Sequence, residues 1–166
     1  SLMQRDRKTD DIYIPYSTPK TPSRTFIYNL KTKEKKLVKE QIIPSGHNSN
    51  DYIVERLECE GHDGRIIPIT ITRKKTTKLD GNSNLLLYGY GSYGNSMWPS
   101  FSSTRLSLIN RDIIWATAHV RGGMERGMKW WKEGKLLNKK NTFQDYISCA
   151  KFLIDKKYTS RKKIIG

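Results

Sequence analysis

Two short, almost wholly apolar runs restrict the fold of this chain more than any other feature of its sequence. They are residues 85–88 (LLLY) and residues 113–118 (IIWATA). A strand with one face in water alternates apolar and polar residues, whereas a strand covered on both faces is apolar throughout. Both runs therefore predict strands that are buried on both faces, as in a parallel sheet with helices on either side.

The residues around these runs predict the rest of a mixed sheet. Residues 52–59 and 66–72 are rich in β-branched and apolar residues, and the pair Asp63-Gly64 between them favours a hairpin turn. Residues 163–166 begin a further apolar strand. A hairpin followed by apolar strands that alternate with helices predicts the α/β class, with a mixed sheet that becomes parallel.

Two segments between the strands predict helices. Residues 101–110 form the shorter one. Residues 142–157 form the strongest helix pattern of the chain, with Asn141 as the N-cap and Gln144 at the third helical position. A spacing of three and four residues places the apolar side chains of this helix on one face, which we expect to be buried: Phe143, Tyr146, Ile147, Ala150, Leu153 and Ile154.

The N-terminal region predicts β-structure of a different kind. Residues 12–40 contain a β-rich run at 25–30, a polar turn at 31–34 and a second short run at 35–39. These strands have no core of their own, as in one blade of a larger repeated β-structure. Residues 41–50 are rich in Pro, Ser, Gly and Asn and predict a linker.

The chain is strongly basic, with 31 Lys and Arg residues against 16 Asp and Glu residues and a net charge of +15. Such an excess is typical of proteins that bind nucleic acid. The lysines are scattered along the chain instead of forming one basic stretch, which favours a solvated surface over a nucleic-acid partner. A degraded or non-catalytic basic module that binds nucleic acid or a protein partner stays open as the alternative function.

The cysteine, histidine and apolar content of the chain indicates whether disulfides, a metal site or a membrane span are to be expected. Cys59 and Cys149 are the only cysteines, so no disulfide framework is expected, and free buried thiols favour a reducing cytoplasm. The three histidines and two cysteines are too dispersed along the sequence for a metal site, and we expect no metal. No apolar stretch approaches the roughly 18 residues of a membrane span, so no membrane partner is expected.

Residues 89–94 (GYGSYG) match the GxGxxG spacing of a dinucleotide-binding loop directly after a strand. In that role a helix has to begin at the motif, so that its N-terminus faces the pyrophosphate. Pro99 disfavours such a helix, and Asp112 precedes the next strand, whereas the ribose-binding acid would follow it. The motif therefore predicts a glycine-rich loop, and no cofactor is expected.

Ser92 lies in the same loop, between glycines that suggest the strained turn of a hydrolase nucleophile. That turn requires a small residue two positions before the serine and another two positions after it, because larger side chains do not fit. Tyr90 occupies the first of these positions. We therefore interpret Ser92 as a loop serine and not as a nucleophile.

Four segments in order carry a more specific signal than any single motif. They are residues 86–94 (LLYGYGSYG), 101–108 (FSSTRLSL), 118–123 (AHVRGG) and 133–143 (EGKLLNKKNTF). Together they resemble the catalytic domain of the oligopeptidase B group within the prolyl oligopeptidase family of serine peptidases. The similarity extends over most of the chain and begins near Tyr16.

This resemblance implies a two-part enzyme in which a β-propeller caps an α/β-hydrolase domain and admits only short peptides. It assigns residues 1–48 to the end of the propeller and a linker, and residues 49–166 to the N-terminal half of the hydrolase domain. Such enzymes cleave after Arg or Lys by acyl transfer. The nucleophilic serine, the aspartate and the histidine are then expected beyond Gly166, so these residues alone are expected to be inactive and to need the remaining part of the catalytic domain.

The resemblance also assigns roles to individual residues. Tyr90 matches the tyrosine whose hydroxyl donates to the developing oxyanion, a role suited to a phenol because it stays protonated at neutral pH. Tyr93 matches a position that lines the primary substrate pocket of prolyl-specific relatives. His119 matches a structural position and not the histidine of the triad. The acidic residues that basic-specific relatives often carry near Trp98 and Ser100 are absent from this sequence.

Overall fold

A computed structural model of the chain describes residues 9–166. Within them, the strands and helices follow in this order: β1 (Asp11–Thr18), β2 (Thr21–Asn29), β3 (Lys35–Glu40), β4 (Tyr52–Glu60), β5 (Ile66–Lys74), β6 (Leu85–Tyr88), α1 (Ser103–Ile109), β7 (Ile114–Ala118), α2 (Met128–Lys132), α3 (Lys140–Asp155) and β8 (Ile164–Ile165). Short 3₁₀ turns lie at Ser49–Asp51 and Leu136–Asn138. No helix within residues 9–166 has the length and apolar character that a bilayer crossing requires.

The first three strands form an antiparallel sheet of their own, in the order β1-β2-β3. Ile12 pairs with Tyr28 across the first ladder, and Phe26 pairs with Leu37 across the second. All side chains of β3 are exposed, so this sheet buries little apolar surface by itself. The sequence predicted the last two strands and their turn, and β1 is an additional strand of the same sheet.

The remaining strands form a five-stranded sheet in the order β4-β5-β7-β6-β8. β4 pairs antiparallel with β5, and β5 pairs antiparallel with β7. β6 pairs in parallel with β7 on one side and with β8 on the other. The predicted α/β class, with a mixed sheet that becomes parallel, is confirmed.

The core lies between this sheet and α3. Alternate residues of β5 point into it, and Ile67, Ile69 and Ile71 are all fully buried there. Leu85 of β6 and Leu153 of α3 belong to the same cluster. Burying a side chain of this size contributes about 1.5–3 kcal/mol, so this layer is the main source of stability for the described residues.

The prediction that residues 85–88 are buried on both faces is wrong in part. Leu85 and Leu87 are buried under α3, whereas Leu86 is half-buried and Tyr88 is 40% exposed. The reason is that α1 covers the opposite face at β5 and β7 instead of β6. Tyr88 stacks on Trp115 with ring centroids 6.1 Å apart, which gives the uncovered face of β6 an aromatic surface.

The predicted cap of the long helix is also wrong. α3 begins at Lys140, and its N-cap residue, Lys139, makes no capping hydrogen bond with its side chain. Asn141 already lies inside the helix, where its Nδ2 donates to the backbone oxygen of Glu133 at 2.9 Å. The side chain of Asn141 thus fastens the first turn of α3 to the end of α2.

The predicted buried face of α3 is displaced around the helix. The buried residues are Thr142, Asp145, Cys149 and Leu153. Of the six predicted residues Leu153 is buried, whereas Phe143 and Ile147 are exposed. The displacement arises because a carboxylate, Asp145, takes a fully buried position that a pattern of apolar residues assigns to the surface.

Candidate active site

The loops at the carboxyl ends of two adjacent parallel strands form the candidate active site. The β6 loop comprises residues 89–95, and the β7 loop comprises residues 119–123. The segment 134–139, which leads into α3, contacts the β6 loop through Lys139 and the β7 loop through Gly134. In open α/β sheets, ligands bind outside the carboxyl ends of the parallel strands, so this is the expected place for a site.

The β6 loop is a tight turn of irregular backbone. Gly91 and Gly94 have positive φ angles of 60° and 69°, and the amide of Asn95 donates to the oxygen of Ser92 at 3.0 Å. No helix begins at the loop, since the next one, α1, begins at Ser103. The pyrophosphate-binding geometry of a dinucleotide site is therefore absent at residues 89–94.

Gly91 holds the β6 loop against the rest of the site. A Cβ atom at this position would lie 2.5 Å from Cγ2 of Thr142, 2.6 Å from Cγ2 of Val120 and 2.7 Å from the oxygen of Arg121. The amide of Gly94 donates to the oxygen of Gly122 at 3.0 Å, which joins the β6 and β7 loops directly. A glycine at position 91 thus satisfies both the positive φ angle and the close approach.

Tyr90 follows β6 at the beginning of this loop and is 40% exposed. The hydroxyls of Tyr52, Tyr146 and Tyr158 each donate to an acceptor inside the protein. Within residues 9–166 the hydroxyl of Tyr90 has no such partner. The phenol at the carboxyl end of β6 is therefore free to donate to a bound molecule.

Tyr93 lies three residues further along the same loop. It has a φ of 55° and is 87% exposed. A bulky residue in this region of backbone space costs about 1–3 kcal/mol and persists where the surroundings impose it, often at functional sites. Tyr93 borders a cleft of about 480 Å³, which is also lined by Ser92, Gly122, Trp131, Gly134, Lys135, Leu136 and Lys139.

Lys139, in the segment before α3, is hydrogen-bonded to the β6 loop. Its Nζ donates to the oxygen of Gly91 at 2.6 Å and to Oγ of Ser92 at 2.8 Å. Burial lowers the pKa of Lys139 from its ordinary value. Ser92 therefore accepts a hydrogen bond from a loop-stabilising lysine, as suits a loop serine. No local sequence pattern indicates this role of Lys139, because its partners are 47 and 48 residues away along the chain.

An ion-pair network holds the β7 loop from inside the protein. The side chain of Arg121 is 1% exposed and makes a bidentate pair with Asp145, with Nε to Oδ2 at 2.9 Å and Nη2 to Oδ1 at 2.5 Å. It also pairs with Asp63 of the β4–β5 turn, with Nη1 to Oδ2 at 2.5 Å. Burial lowers the pKa of Arg121, but hydrogen bonds to both carboxylates outweigh it, so that the pKa lies above its ordinary value.

The arrangement around Arg121 also includes the one group of potential metal ligands in the part of the chain that the structure describes. It consists of His62, Asp63 and Asp145. Both carboxylates of this group already bind the guanidinium of Arg121. A metal ion at this position would have to compete with a buried cation, so the geometry favours a structural ion pair.

His119 is buried at the start of the β7 loop and faces inward. One of its ring nitrogens, Nε2, lies 2.8 Å from Oγ1 of Thr70, and its backbone oxygen accepts from Nε1 of Trp130 at 3.1 Å. Nδ1 lies 3.7 Å from the carboxylate of Glu125. These contacts indicate a structural role for His119 in the protein interior.

Comparison with known proteins gives consistent matches over this chain. Residues 99–166 match a family model described as the prolyl oligopeptidase family. The chain is 40% identical over 157 residues to dipeptidyl aminopeptidase BI of Pseudoxanthomonas mexicana, a match that covers 94% of this chain and 22% of that protein. It is 38% identical over 163 residues to protease 2 of Moraxella lacunata, which covers 98% of this chain and 24% of that protein.

The fold is similar to that of oligopeptidase B from Leishmania major. The two have a TM-score of 0.87 and 34% sequence identity over 96% of this chain and 22% of the Leishmania protein. The chain thus spans 22% to 24% of the length of these three relatives.

Proposed function

This chain belongs to the prolyl oligopeptidase family over the part of those proteins that it spans, and we propose that it supplies a hydrogen-bond donor to the oxyanion in a serine peptidase active site. This is the family that the four sequence segments predicted. The proposed reaction is the hydrolysis of short peptides by acyl transfer. These residues contribute the N-terminal half of the catalytic domain and the end of the propeller that caps it.

The position of Tyr90 is the observation that carries this proposal. Tyr90 is 40% exposed and follows the carboxyl end of a central parallel strand, and its hydroxyl has no internal partner among residues 9–166. A donor of this kind stabilises charge as it develops on the carbonyl oxygen of the scissile bond. The Gly91 contacts and the Gly94–Gly122 hydrogen bond keep the loop in place, so the donor is preorganised.

We place the catalytic triad outside these 166 residues. Ser92 lacks the spacing of a nucleophile elbow, and its Oγ accepts a hydrogen bond from the ammonium of Lys139. His119 is buried away from the loop surface. On this proposal the residues described here position the oxyanion and part of the substrate, and the nucleophile, base and orienting acid come from the remainder of a catalytic domain.

We further propose that cleavage follows Arg or Lys, as in the oligopeptidase B group, and that Tyr93 lines the primary substrate pocket. The similarity to the Leishmania protein supports the first point, and the exposure and strained backbone of Tyr93 support the second. Two buried free thiols, Cys59 and Cys149, support a location in the cytoplasm.

The test compares two proteins: residues 1–166 alone, and the longest chain that the gene specifies, which we call the encoded protein. Peptide reporters with Arg or Lys before the scissile bond, and matched reporters with Gln there, are assayed with both. We expect the encoded protein to cleave the basic reporters and to react with a serine-directed phosphonate, and residues 1–166 to do neither. Phosphonate labelling of residues 1–166 that disappears in Ser92→Ala would contradict the proposal.

A further inference from the structure

The cleft beside the β6 loop has an unusual combination of lining residues. The aromatic residues Trp131 and Tyr93 line it together with the two cationic residues Lys135 and Lys139. At about 480 Å³ it has the size of a pocket for one or two amino-acid residues. Aromatic and aliphatic walls with two cations suit a molecule that is partly apolar and carries a negative charge.

Neither lysine of the cleft has a carboxylate partner among residues 9–166. The ammonium of Lys135 lies 3.6 Å from the ring centroid of Trp131, and that of Lys139 binds the neutral oxygens of Gly91 and Ser92. Other lysines of the chain do have such partners, as Lys31 has in Asp10 at 2.8 Å. An ammonium carries three donors, so Lys139 has a third that is available to a ligand.

Two residues that line the cleft have a strained backbone. Tyr93 has a φ of 55°, and Leu136 has a φ of 50°. Both side chains are highly exposed, at 87% and 83%. Backbone strain of this kind clusters at functional sites, and here two strained apolar residues line the same cleft as two cations.

We propose that this cleft binds a carboxylate of a peptide, with Lys135 and Lys139 as the charge partners and Tyr93, Trp131 and Leu136 as the apolar contacts. The carboxylate can come from the C-terminus of a short peptide or from a Glu or Asp side chain. The inference rests on the proposed function, because it adds a second subsite to the same active site. Tyr93 then borders both the cleft and the primary substrate pocket that takes the Arg or Lys before the scissile bond, and the cleft selects peptides that also carry a negative charge.

Binding is measured directly, without hydrolysis, on the encoded protein. N-acetyl-phenylalanine and its amide test a terminal carboxylate. N-acetyl-Phe-Glu-amide and N-acetyl-Phe-Gln-amide test a side-chain carboxylate. Isothermal titration calorimetry at low salt is expected to show about tenfold tighter binding of the charged member in at least one pair, since hydrogen bonds to charged groups are the stronger ones. The pair that shows the difference identifies the source of the carboxylate.

A matched pair of lysine variants tests the assignment. Lys135→Gln removes the ammonium above Trp131 and is expected to abolish most of the preference for the charged peptide. Lys35 provides the control, because its ammonium also lies above an aromatic ring, 4.4 Å from the centroid of Phe26, in the separate three-stranded sheet. Lys35→Gln is expected to leave the preference unchanged. A thermal melt confirms that both variants are folded.

The outcomes separate this inference from the proposed function. Equal affinity for the charged and amide members of both pairs would overturn the cleft assignment, as would an identical effect of Lys135→Gln and Lys35→Gln. Cleavage of basic reporters together with either result would leave the proposed function intact. Selective binding of the charged peptides by a protein that cleaves no peptide would support the cleft and contradict the peptidase activity.

Discussion

Arg121 and Asp145 form a bidentate ion pair inside the protein, where the guanidinium is 1% exposed and the carboxylate is fully buried. The same carboxylate also accepts the backbone amide of Arg121 at 2.9 Å. One side chain of α3 thus fixes both the backbone and the side chain of a β7 loop residue. Because Gly94 is hydrogen-bonded to Gly122 next along that loop, the pair also supports the β6 loop that carries Tyr90.

Replacing Asp145 with Asn should destabilise the encoded protein strongly. The change leaves the buried guanidinium of Arg121 with Asp63 as its only carboxylate partner among residues 9–166. Breaking a buried ion pair in this way typically costs about 3–5 kcal/mol, because a buried charge loses its compensation. Urea unfolding measures the loss. Asp155→Asn on the exposed end of the same helix is the control and is expected to change the unfolding free energy by less than about 0.5 kcal/mol.

The acid dependence of stability should depend on Asp63. Its hydrogen bonds with Arg121 lower the pKa of the Asp63 carboxyl below the ordinary 3.8. A group with a lowered folded pKa contributes stability above its unfolded pKa, and this contribution is lost as the pH falls through the folded value. The free energy of unfolding of Asp63→Asn, measured between about pH 2 and 6, is therefore expected to fall less steeply with acid than that of the parent. Curves that stay parallel throughout would contradict this role of Asp63.

A pair of glycine substitutions should separate backbone strain from close packing. Gly91 and Gly46 both have positive φ angles, of 60° and 79°. A Cβ atom at Gly91 would collide with Thr142 and Val120, whereas one at Gly46 would meet nothing within 4 Å. We expect Gly46→Ala to cost about 1 kcal/mol from its φ angle alone and Gly91→Ala to cost about 2–4 kcal/mol. Similar unfolding free energies for the two variants would contradict the packing assigned to Gly91.

The sequence predicts the elements of the sheet well and the buried face of α3 less well. Residues 85–88, 113–118 and the 52–72 hairpin are local patterns, so their strands could be predicted without knowing what surrounds them. The buried stripe of α3 depends on Asp145, whose burial is explained by Arg121, 24 residues away. Periodicity alone places charged residues such as Asp145 on the surface. It therefore predicts Phe143 and Ile147 in the core, at positions that are exposed in the structure.

In the candidate site, too, local features could be predicted from the sequence and long-range contacts could not. The loop after β6, and the place of Tyr90 at its beginning, could be predicted from residues 86–94, whereas the oxyanion role of Tyr90 stays a prediction. The contact of Lys139 with Gly91 and Ser92, and the cleft that Lys135 shares with Trp131, could not, because they depend on how the segment before α3 folds back on the β6 loop. Contacts between loops that are distant in sequence leave no periodic signal.

The most direct test of the proposed function is the steady-state kinetics of Tyr90→Phe in the encoded protein. The substitution removes one hydroxyl and keeps the ring, and loss of an oxyanion donor typically lowers turnover by about 10²–10³-fold. Since the interaction strengthens only as charge develops, the loss is expected in kcat with little change in KM. Tyr88→Phe, two residues earlier on β6 and stacked on Trp115, is the control and is expected to keep kcat. A near-normal kcat for Tyr90→Phe, or an effect confined to KM, would contradict the oxyanion role.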